Sequence, residues 1–458
     1  MSTSSSEEEA EGGRDGGGGG GGGAETGRAS TSRIRRRFGN RVWPAPFLEA
    51  LAAQVTIDAS LSNGRVSAAP SLCSLFQVCS TWRAVSRSDL LWQNLTRRIW
   101  NRSHLLLPMQ NSWREEFIFW HRTTQNFRLH RYIYTTLQIP PPLDNNDNND
   151  GLSCRRLALS DHYIAAGLSN GSVSVFHLPS RVHLSIFYPH HRDRLGRFSI
   201  SVSGIILSDA QLVFASLDGD IHVAIINGPN ATRRAHLGDV VNDGALVDFT
   251  GCNRWWVGLY AGVPGRAFRV WNSETEELVF VGGSLTDPEA VMGWHLLTEQ
   301  LSGFVGRIRV TSHETAMTCT SVRVMVFDLR NQGVILGEEE FHREIVVGCV
   351  DARDELFLVV DSRGVASVRR IGTLEEVCRF MARGVSSQRG GDVLGCINGG
   401  FAVIFAAGVI RVWDRERGEN LYSFRERIGS ASALVADERY VAGCSNDGTI
   451  HLWDFGAQ

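Results

Sequence analysis

Arginines in polar turns are the side chains of this 458-residue sequence that best suit recognition chemistry. A guanidinium group donates paired hydrogen bonds to a carboxylate or a phosphate, so converging arginines suit an acidic or phosphorylated peptide. The alternative is that long polar loops carry charge simply because they face water. The candidates lie in polar turns and loops between apolar segments: Arg192, Arg194, Arg197, Arg363, Arg389 and Arg425.

Motifs typical of enzymes are weak in this sequence. The stretch GLSNG (167–171) matches the G-x-S-x-G nucleophile pattern, but Ser169 lies between two strand-like segments, where Asn-Gly favours a tight turn. His190 and His191 are adjacent, without a supporting set of carboxylates or cysteines. No catalytic residue, metal site or cofactor is therefore predicted, and we expect a protein that is not an enzyme.

Composition narrows the class of protein further. A net charge of −3 gives no bulk attraction to nucleic acid or membrane, and no apolar run is long enough to span a bilayer. Without a basic stripe or a helix-turn-helix pattern, direct DNA binding is not expected. The nine cysteines are scattered singly, which favours reduced thiols in the cytosol or nucleus. All 46 basic residues are arginine, and this absence of lysine is either a coding bias or a selected property.

The first 42 residues are low in complexity and include eight consecutive glycines. Such a segment buries too little apolar surface to offset the entropy of ordering, so 1–42 is predicted to be a disordered tail. Its last part, RIRRRFGNR, is either a nuclear import signal or a solvated charge run. If this stretch is a nuclear import signal, its arginines are Arg33, Arg35, Arg36 and Arg37.

Residues 43–127 show apolar side chains at the three- and four-residue spacing of helices. Ser88 and Ser112 each precede such a segment and are predicted as helix N-caps. A small helical domain is therefore predicted over this range.

After residue 127 the apolar period changes to two, which is typical of strands. A unit of strand, turn, strand, Gly-containing turn and third strand recurs at 40 to 56 residues. Seven such units predict a mainly β protein, with a seven-bladed WD-repeat-like β-propeller over 128–458. A strand at 130–139 is expected to complete the last blade. The aligned third-strand positions are Phe176, Ala224, Trp271, Phe327, Arg369, Trp413 and Trp453.

The helical domain resembles the F-box. The likeness rests on PAPFLEALAAQV and on LCSLFQVCSTWRAVSRSDLLW, with its Val-Cys-x-x-Trp core and closing Leu-Trp pair. SWREEFIFWHRTTQNFR is similar to the helix that joins F-box to propeller in F-box/WD-repeat proteins. The resemblance implies docking on a Skp-type adaptor of a cullin-RING ubiquitin ligase. The residues implied for that adaptor surface, some of which must instead form the domain's own core, are Pro44, Leu48, Leu51, Leu75, Val78, Cys79, Trp82 and Trp92.

Two stretches of the β region carry a narrower resemblance. NDGALVDFTGCNRWWVGLYAGVPGRAF (242–268) and LTDPEAVMGWH (285–295) are similar to a family of plant floral regulators, and the likeness runs from about Trp43 to the C-terminus. That family implies a nuclear protein of flower, ovule and organ-size control, whose propeller binds growth repressors of the PEAPOD type for degradation. The alternative is a nuclear scaffold that recruits corepressors or transcription factors without a ligase.

Overall fold

The computed structural model describes residues 43–102, 106–141, 152–190, 195–196, 198–283, 305–331, 333–341, 347–382 and 393–457. The predicted tail, 1–42, lies outside these ranges. The protein is mainly β, with 45% strand and 19% helix, arranged as small antiparallel sheets and a short N-terminal helical region. The described helices and strands belong to one structural unit, Ala45–Gln458.

Five helices of the N-terminal region share one core. The predicted caps are present, because Ser88 Oγ accepts the N–H of Leu91 at 3.4 Å and Ser112 Oγ accepts that of Glu115 at 3.2 Å. Each cap satisfies a backbone donor that the helix itself leaves unpaired. The helices of the described residues are α1 (Ala45–Asn63), α2 (Ala68–Phe76), α3 (Ser80–Val85), α4 (Asp89–Ile99), α5 (Trp113–Arg128) and, in the β region, α6 (Val240–Asp243).

Aromatic side chains fill much of the helical core. The rings of Trp92 and Phe117 are 5.3 Å apart, in a tilted arrangement that joins α4 to α5. Two of the four buried indoles of this core have hydrogen-bond acceptors: Trp92 Nε1 donates to Ser86 O and Trp120 Nε1 to Glu116 Oε1, each at 2.7 Å. These two hydrogen bonds allow the rings of Trp92 and Trp120 to be buried while their N–H groups keep an acceptor.

The strands follow the helices in an almost unbroken series. In chain order they are β1 (Ile133–Gln138), β2 (Cys154–Leu159), β3 (Tyr163–Leu168), β4 (Val173–His177), β5 (Val182–Phe187), β6 (Val202–Leu207), β7 (Gln211–Ser216), β8 (Ile221–Ile225), β9 (Thr232–His236), β10 (Ala245–Gly251), β11 (Trp255–Ala261), β12 (Phe268–Asn272), β13 (Leu278–Gly282), β14 (Gly306–Val310), β15 (Thr315–Thr320), β16 (Arg323–Asp328), β17 (Val334–Glu340), β18 (Val347–Arg353), β19 (Leu356–Asp361), β20 (Val365–Arg370), β21 (Glu376–Met381), β22 (Leu394–Ile397), β23 (Phe401–Ala406), β24 (Val409–Asp414), β25 (Asn420–Ser423), β26 (Ala431–Ala436), β27 (Tyr440–Ser445) and β28 (Thr449–Asp454).

These strands pair antiparallel in sets of four. Four separate sheets comprise β2–β5, β14–β17, β18–β21 and β22–β25. An eight-stranded sheet contains the sets β6–β9 and β10–β13, joined by a single parallel bridge between Gly204 and Phe249. The last sheet takes its fourth strand from the other end of the series, in the order β1-β28-β27-β26. The first strands lie side by side in cyclic order, with β2 beside β6 at one end of the series and beside β26 at the other.

The stretch GLSNG is the turn between β3 and β4, as the sequence predicts. Asn170 Oδ1 accepts the N–H of Ser172 at 3.1 Å, and Gly171 has a φ of +85°. A Cβ at Gly171 would lie 2.5 Å from the carbonyl oxygen of Ile200, so this position needs glycine for space as well as for its left-handed backbone. The structure therefore gives Ser169 a place in a strand-to-strand turn and none of the geometry of a nucleophile elbow.

The repeat found in the sequence has a structural counterpart. All of the aligned positions lie on the third strand of their set. In five of the seven, all except Ala224 and Trp453, the ladder to the fourth strand shifts at this residue. A shift at the same place in successive sets is the mark of a repeated unit whose residues have diverged.

Shortening Leu137 on β1 should destabilise the whole β region. Leu137 is buried beside β28, in a core that also contains Ile450 and Leu452. We expect Leu137→Ala to lower the free energy of unfolding by about 2–4 kcal/mol, because it leaves a cavity. Urea denaturation measures this. The exposed neighbour Thr136→Ala is the control and should change stability by less than about 0.5 kcal/mol. Equal effects of the two variants would contradict an integral role for β1.

Candidate interaction surfaces

The first helix is apolar on two faces. Leu48 and Ala52 are buried in the helical core. Phe47, Leu51 and Val55 follow one another at four-residue spacing on another face, and they are 46%, 39% and 36% exposed. A surface helix normally turns polar residues to water, so this exposed apolar stripe is a candidate interaction surface.

The structure divides the predicted adaptor-binding residues into two groups. Those packed in or against the helical core are Leu48 and Trp92, which are buried, and Leu75 and Trp82, which are half-buried. Those exposed to solvent are Pro44, Leu51, Val78 and Cys79. Val78 is 65% exposed and precedes α3, which contacts α1. We refer to Phe47, Leu51, Val55 and Val78 as the helical apolar surface.

The helical region packs against the β region through charged residues. Arg65 bridges two turns, with Nη1 3.0 Å from Glu438 Oε2 and Nη2 3.1 Å from Asp354 Oδ2. Arg102 Nη1 lies 2.7 Å from Asp161 Oδ1. The three carboxylates occupy turns between the first and second strands of three different sets. The helices therefore sit at one end of the sheets, where first strands lead into second strands.

The predicted recognition arginines belong to the opposite end of the sheets where the structure describes them. Arg363 lies in the turn between β19 and β20, with Nε 3.3 Å from Asp361 Oδ2, and Arg425 lies in the exposed connection between β25 and β26. Their convergence therefore remains a prediction. Four of the six predicted recognition arginines lie outside the described residues: Arg192, Arg194, Arg197 and Arg389. The arginines of the predicted import signal also lie outside them: Arg33, Arg35, Arg36 and Arg37.

Charged side chains on the first strands line a pocket of about 1010 Å³. The carboxylate of Asp248 on β10 lies 3.0 Å from Arg309 Nη1 and 3.4 Å from both Arg307 Nη1 and Arg156 Nε. Arg309 Nε also lies 2.7 Å from Asp351 Oδ1 on β18. Asp248 thus links β2 with β14, and Arg309 extends the link to β18.

The same contacts set the ionisation of Asp248. Burial acts to raise the pKa of this carboxyl, but Arg307, Arg309, Arg156 and the N–H of Ile308 act to lower it. The net effect is a pKa below the ordinary value for aspartate. The group is therefore held as a carboxylate by its partners, as expected for a buried charge with several donors.

The sequence relates the chain to a known regulator. No protein-family model matches it. It is 56% identical over 427 residues to the transcriptional regulator STERILE APETALA of Arabidopsis thaliana, which covers 92% of this chain and 94% of that protein. The chain belongs to the STERILE APETALA family. The resemblance to plant floral regulators drawn from the sequence is thereby confirmed.

A solved structure adds little for this STERILE APETALA family member. The computationally designed Ika8 protein matches 67% of the chain and 98% of its own length, with 16% identity and a TM-score of 0.45. A likeness at that score supports no statement about function. Among the residues that the structure describes, no helix is both long and apolar enough to cross a membrane, and no three His, Cys, Asp or Glu side chains are grouped to hold a metal ion.

The sequence analysis did not predict two groups of residues as parts of these surfaces. Phe47 and Val55 of the STERILE APETALA family chain extend the exposed stripe around Leu51, and their four-residue spacing was the available signal. The charged set on the first strands gave no such signal, because Arg156 and Asp248 are distant in sequence and meet only when β2 and β10 come together.

Proposed function

We propose that this STERILE APETALA family member is a nuclear regulator of flower, ovule and organ development that acts as the F-box substrate receptor of a cullin-RING ubiquitin ligase. It would be a non-catalytic subunit, which holds a protein target close to the charged conjugating enzyme and so raises its effective concentration. The observation that carries the proposal is the helical apolar surface. A Skp-type adaptor that covered it would remove Leu51 and Val78 from water, which favours binding.

The proposal assigns an architecture to the chain. Residues 43–127 are an F-box-like domain with a linker helix. Residues 128–458 are a seven-bladed WD-repeat-like β-propeller, in which the eight-stranded sheet counts as two blades because a single bridge joins its halves. Two observations support it: the cyclic order of the first strands, and the pairing of β1 with β28, which completes the last set of four.

The propeller would bind the protein to be degraded, and PEAPOD-type repressors are the implied class. The helices dock at the turns that carry Asp161, Asp354 and Glu438, so the opposite end of the sheets is the better candidate for the substrate. Arg363 and Arg425 are exposed at that end. An acidic or phosphorylated segment of the substrate would suit them.

Co-purification of the full chain with a Skp-type adaptor and a cullin tests the proposal. We expect a complex of one receptor with one adaptor that remains intact during size-exclusion chromatography. A chain that is folded by circular dichroism and yet fails to bind the adaptor would contradict a receptor role.

A transcriptional scaffold without a ligase is the second candidate. It is favoured by the name of the relative, which describes a transcriptional regulator. In that case the helical region would serve as a cap on the β region, a role consistent with the ion pairs of Arg65 and Arg102. A nuclear location, which the relative's name and the basic cluster both support, suits either candidate. The adaptor experiment separates the two.

The absence of lysine leads to a prediction about turnover. A receptor beside the site of ubiquitin transfer is itself exposed to modification, and lysine is the side chain that accepts ubiquitin. Arg417→Lys, in an exposed turn, keeps the positive charge and adds one acceptor. If the absence is selected, we expect a shorter half-life in a cycloheximide chase, dependent on the cullin. Arg417→Gln is the control and should keep the original half-life. An unchanged lifetime of Arg417→Lys would favour coding bias.

A further inference from the structure

On the first strands of the seven sets, the side chains that line the pocket include more arginines than carboxylates. All residues of these seven strands, β2, β6, β10, β14, β18, β22 and β26, are described. They bring two aspartates to the pocket, Asp248 and Asp351. Apart from Arg353 at the end of β18, the same strands bring four arginines to the pocket: Arg155, Arg156, Arg307 and Arg309. The middle of the pocket therefore carries an excess of two positive charges.

Three carboxylates at the rim of the pocket have cationic partners of their own. Asp354 and Glu438 are paired with Arg65, at 3.1 and 3.0 Å. Asp161 is paired with Arg102 at 2.7 Å. Arg353, the last residue of β18, also lines the rim, where its charge acts on Asp354 and Asp437. Glu116 and Asp437, also at the rim, accept N–H groups instead of pairing with a cation. Among the described residues, none of these rim carboxylates lies within ion-pair distance of the four arginines in the middle.

Of these four arginines, Arg155 has the positive charge that nearby carboxylates balance least. Among the described residues no carboxylate lies within ion-pair distance of its guanidinium, whereas Arg156 and Arg307 both reach Asp248. Burial and then the charge of Arg307 lower the pKa of Arg155. Burial and Arg307 also lower the pKa of Arg156, more than Asp248 raises it. A cationic group in this situation is stabilised by any anion that enters the pocket.

We propose that this pocket binds a small free phosphate-type anion, of the pyrophosphate class, between Arg155, Arg156 and Arg307. Guanidinium groups hold phosphate oxygens through paired hydrogen bonds, and an excess of two positive charges matches such an anion. Trp100 and Trp120 of the helical region line one mouth of the pocket, which favours a small ion over a threaded peptide. The site is independent of the proposed role in a ligase.

Isothermal titration calorimetry of the full chain with inorganic pyrophosphate, at constant ionic strength, tests the site. We expect saturable binding of one anion per chain, and binding at least about tenfold weaker in Arg155→Gln. Arg417→Gln removes an arginine from the exposed turn between β24 and β25 and is the matched control, so it should bind pyrophosphate as the original chain does. Arg155→Gln without ligand should melt no lower than the original chain, because it loses a buried charge that has no partner.

Several results would overturn the proposal. One is the absence of saturable heat, and another is equal affinity in Arg155→Gln, which would indicate a non-specific ion effect. A third is binding of a phosphoserine peptide without binding of pyrophosphate, which would place the phosphate on a partner protein. A melting temperature of Arg155→Gln several degrees below that of the original chain would show that Arg155 serves the fold instead.

Discussion

We expect the double substitution Leu51→Asp with Val78→Asp to weaken binding to a Skp-type adaptor severely and to leave the chain folded. Both side chains are exposed in the isolated protein, so their replacement costs little stability. Burying two carboxylates in an apolar interface costs several kcal/mol, and each 1.4 kcal/mol weakens binding about tenfold. We therefore expect the affinity to fall by at least about 100-fold, as measured by calorimetry with the purified adaptor.

The control for this experiment lies elsewhere on the chain. Val241 on α6 is 73% exposed, close to the value for Val78, but it belongs to the β region. Val241→Asp introduces the same change of side chain and should leave adaptor binding unaltered. Thermal melts of all variants confirm that they are folded. Adaptor binding by the folded double variant at the original affinity would rule out the helical apolar surface as the docking site.

Replacing Asp248 by Asn has the second large expected effect, on stability. The side chain is buried and faces Arg156, Arg307 and Arg309 from two other strands. Removing its charge leaves these arginines to repel one another without a central carboxylate. We expect the free energy of unfolding to fall by about 3–5 kcal/mol, the usual cost of breaking a buried charge network. Urea denaturation at pH 7 measures the difference.

The pH dependence of that loss gives a second readout. The pKa of Asp248 is lower in the folded chain than the value of about 3.9 expected on unfolding, so its contribution is present above that pH. It is lost as the pH falls through the folded value, and the gap between Asp248→Asn and the original chain should narrow in acid. Asp209→Asn, at an exposed pair with His162, is the control and should cost less than about 1 kcal/mol. A gap that stays constant below pH 4 would contradict the assigned role of Asp248.

Local signals in the sequence predicted local structure well. The caps at Ser88 and Ser112 and the turn at Asn170 and Gly171 depend on residues within three positions of one another, and each is present. The sequence repeat also predicted that each aligned residue lies on a third strand, because turn residues recur at the same place in each set of strands. Such features follow from neighbouring residues alone.

Features that depend on the packing of distant segments could not be predicted from the sequence. Leu48 and Leu51 are the same residue type three positions apart on α1, yet Leu48 is buried and Leu51 exposed. The difference depends on which side of α1 the other helices cover, and spacing alone does not specify it. The contacts of Arg156 with Asp248 likewise join strands more than 80 residues apart. Only the assembled sheets bring these charges together.

The stability of a bound target in plant cells tests the receptor role most directly. The measurement compares the half-life of a PEAPOD-type repressor in cells that express either the original chain or Leu51→Asp with Val78→Asp. We predict that both chains bind the repressor, that only the original chain shortens its half-life, and that this effect disappears when the cullin is inhibited. An equal half-life with both chains, together with intact regulation of transcription, would contradict the receptor role and support the scaffold.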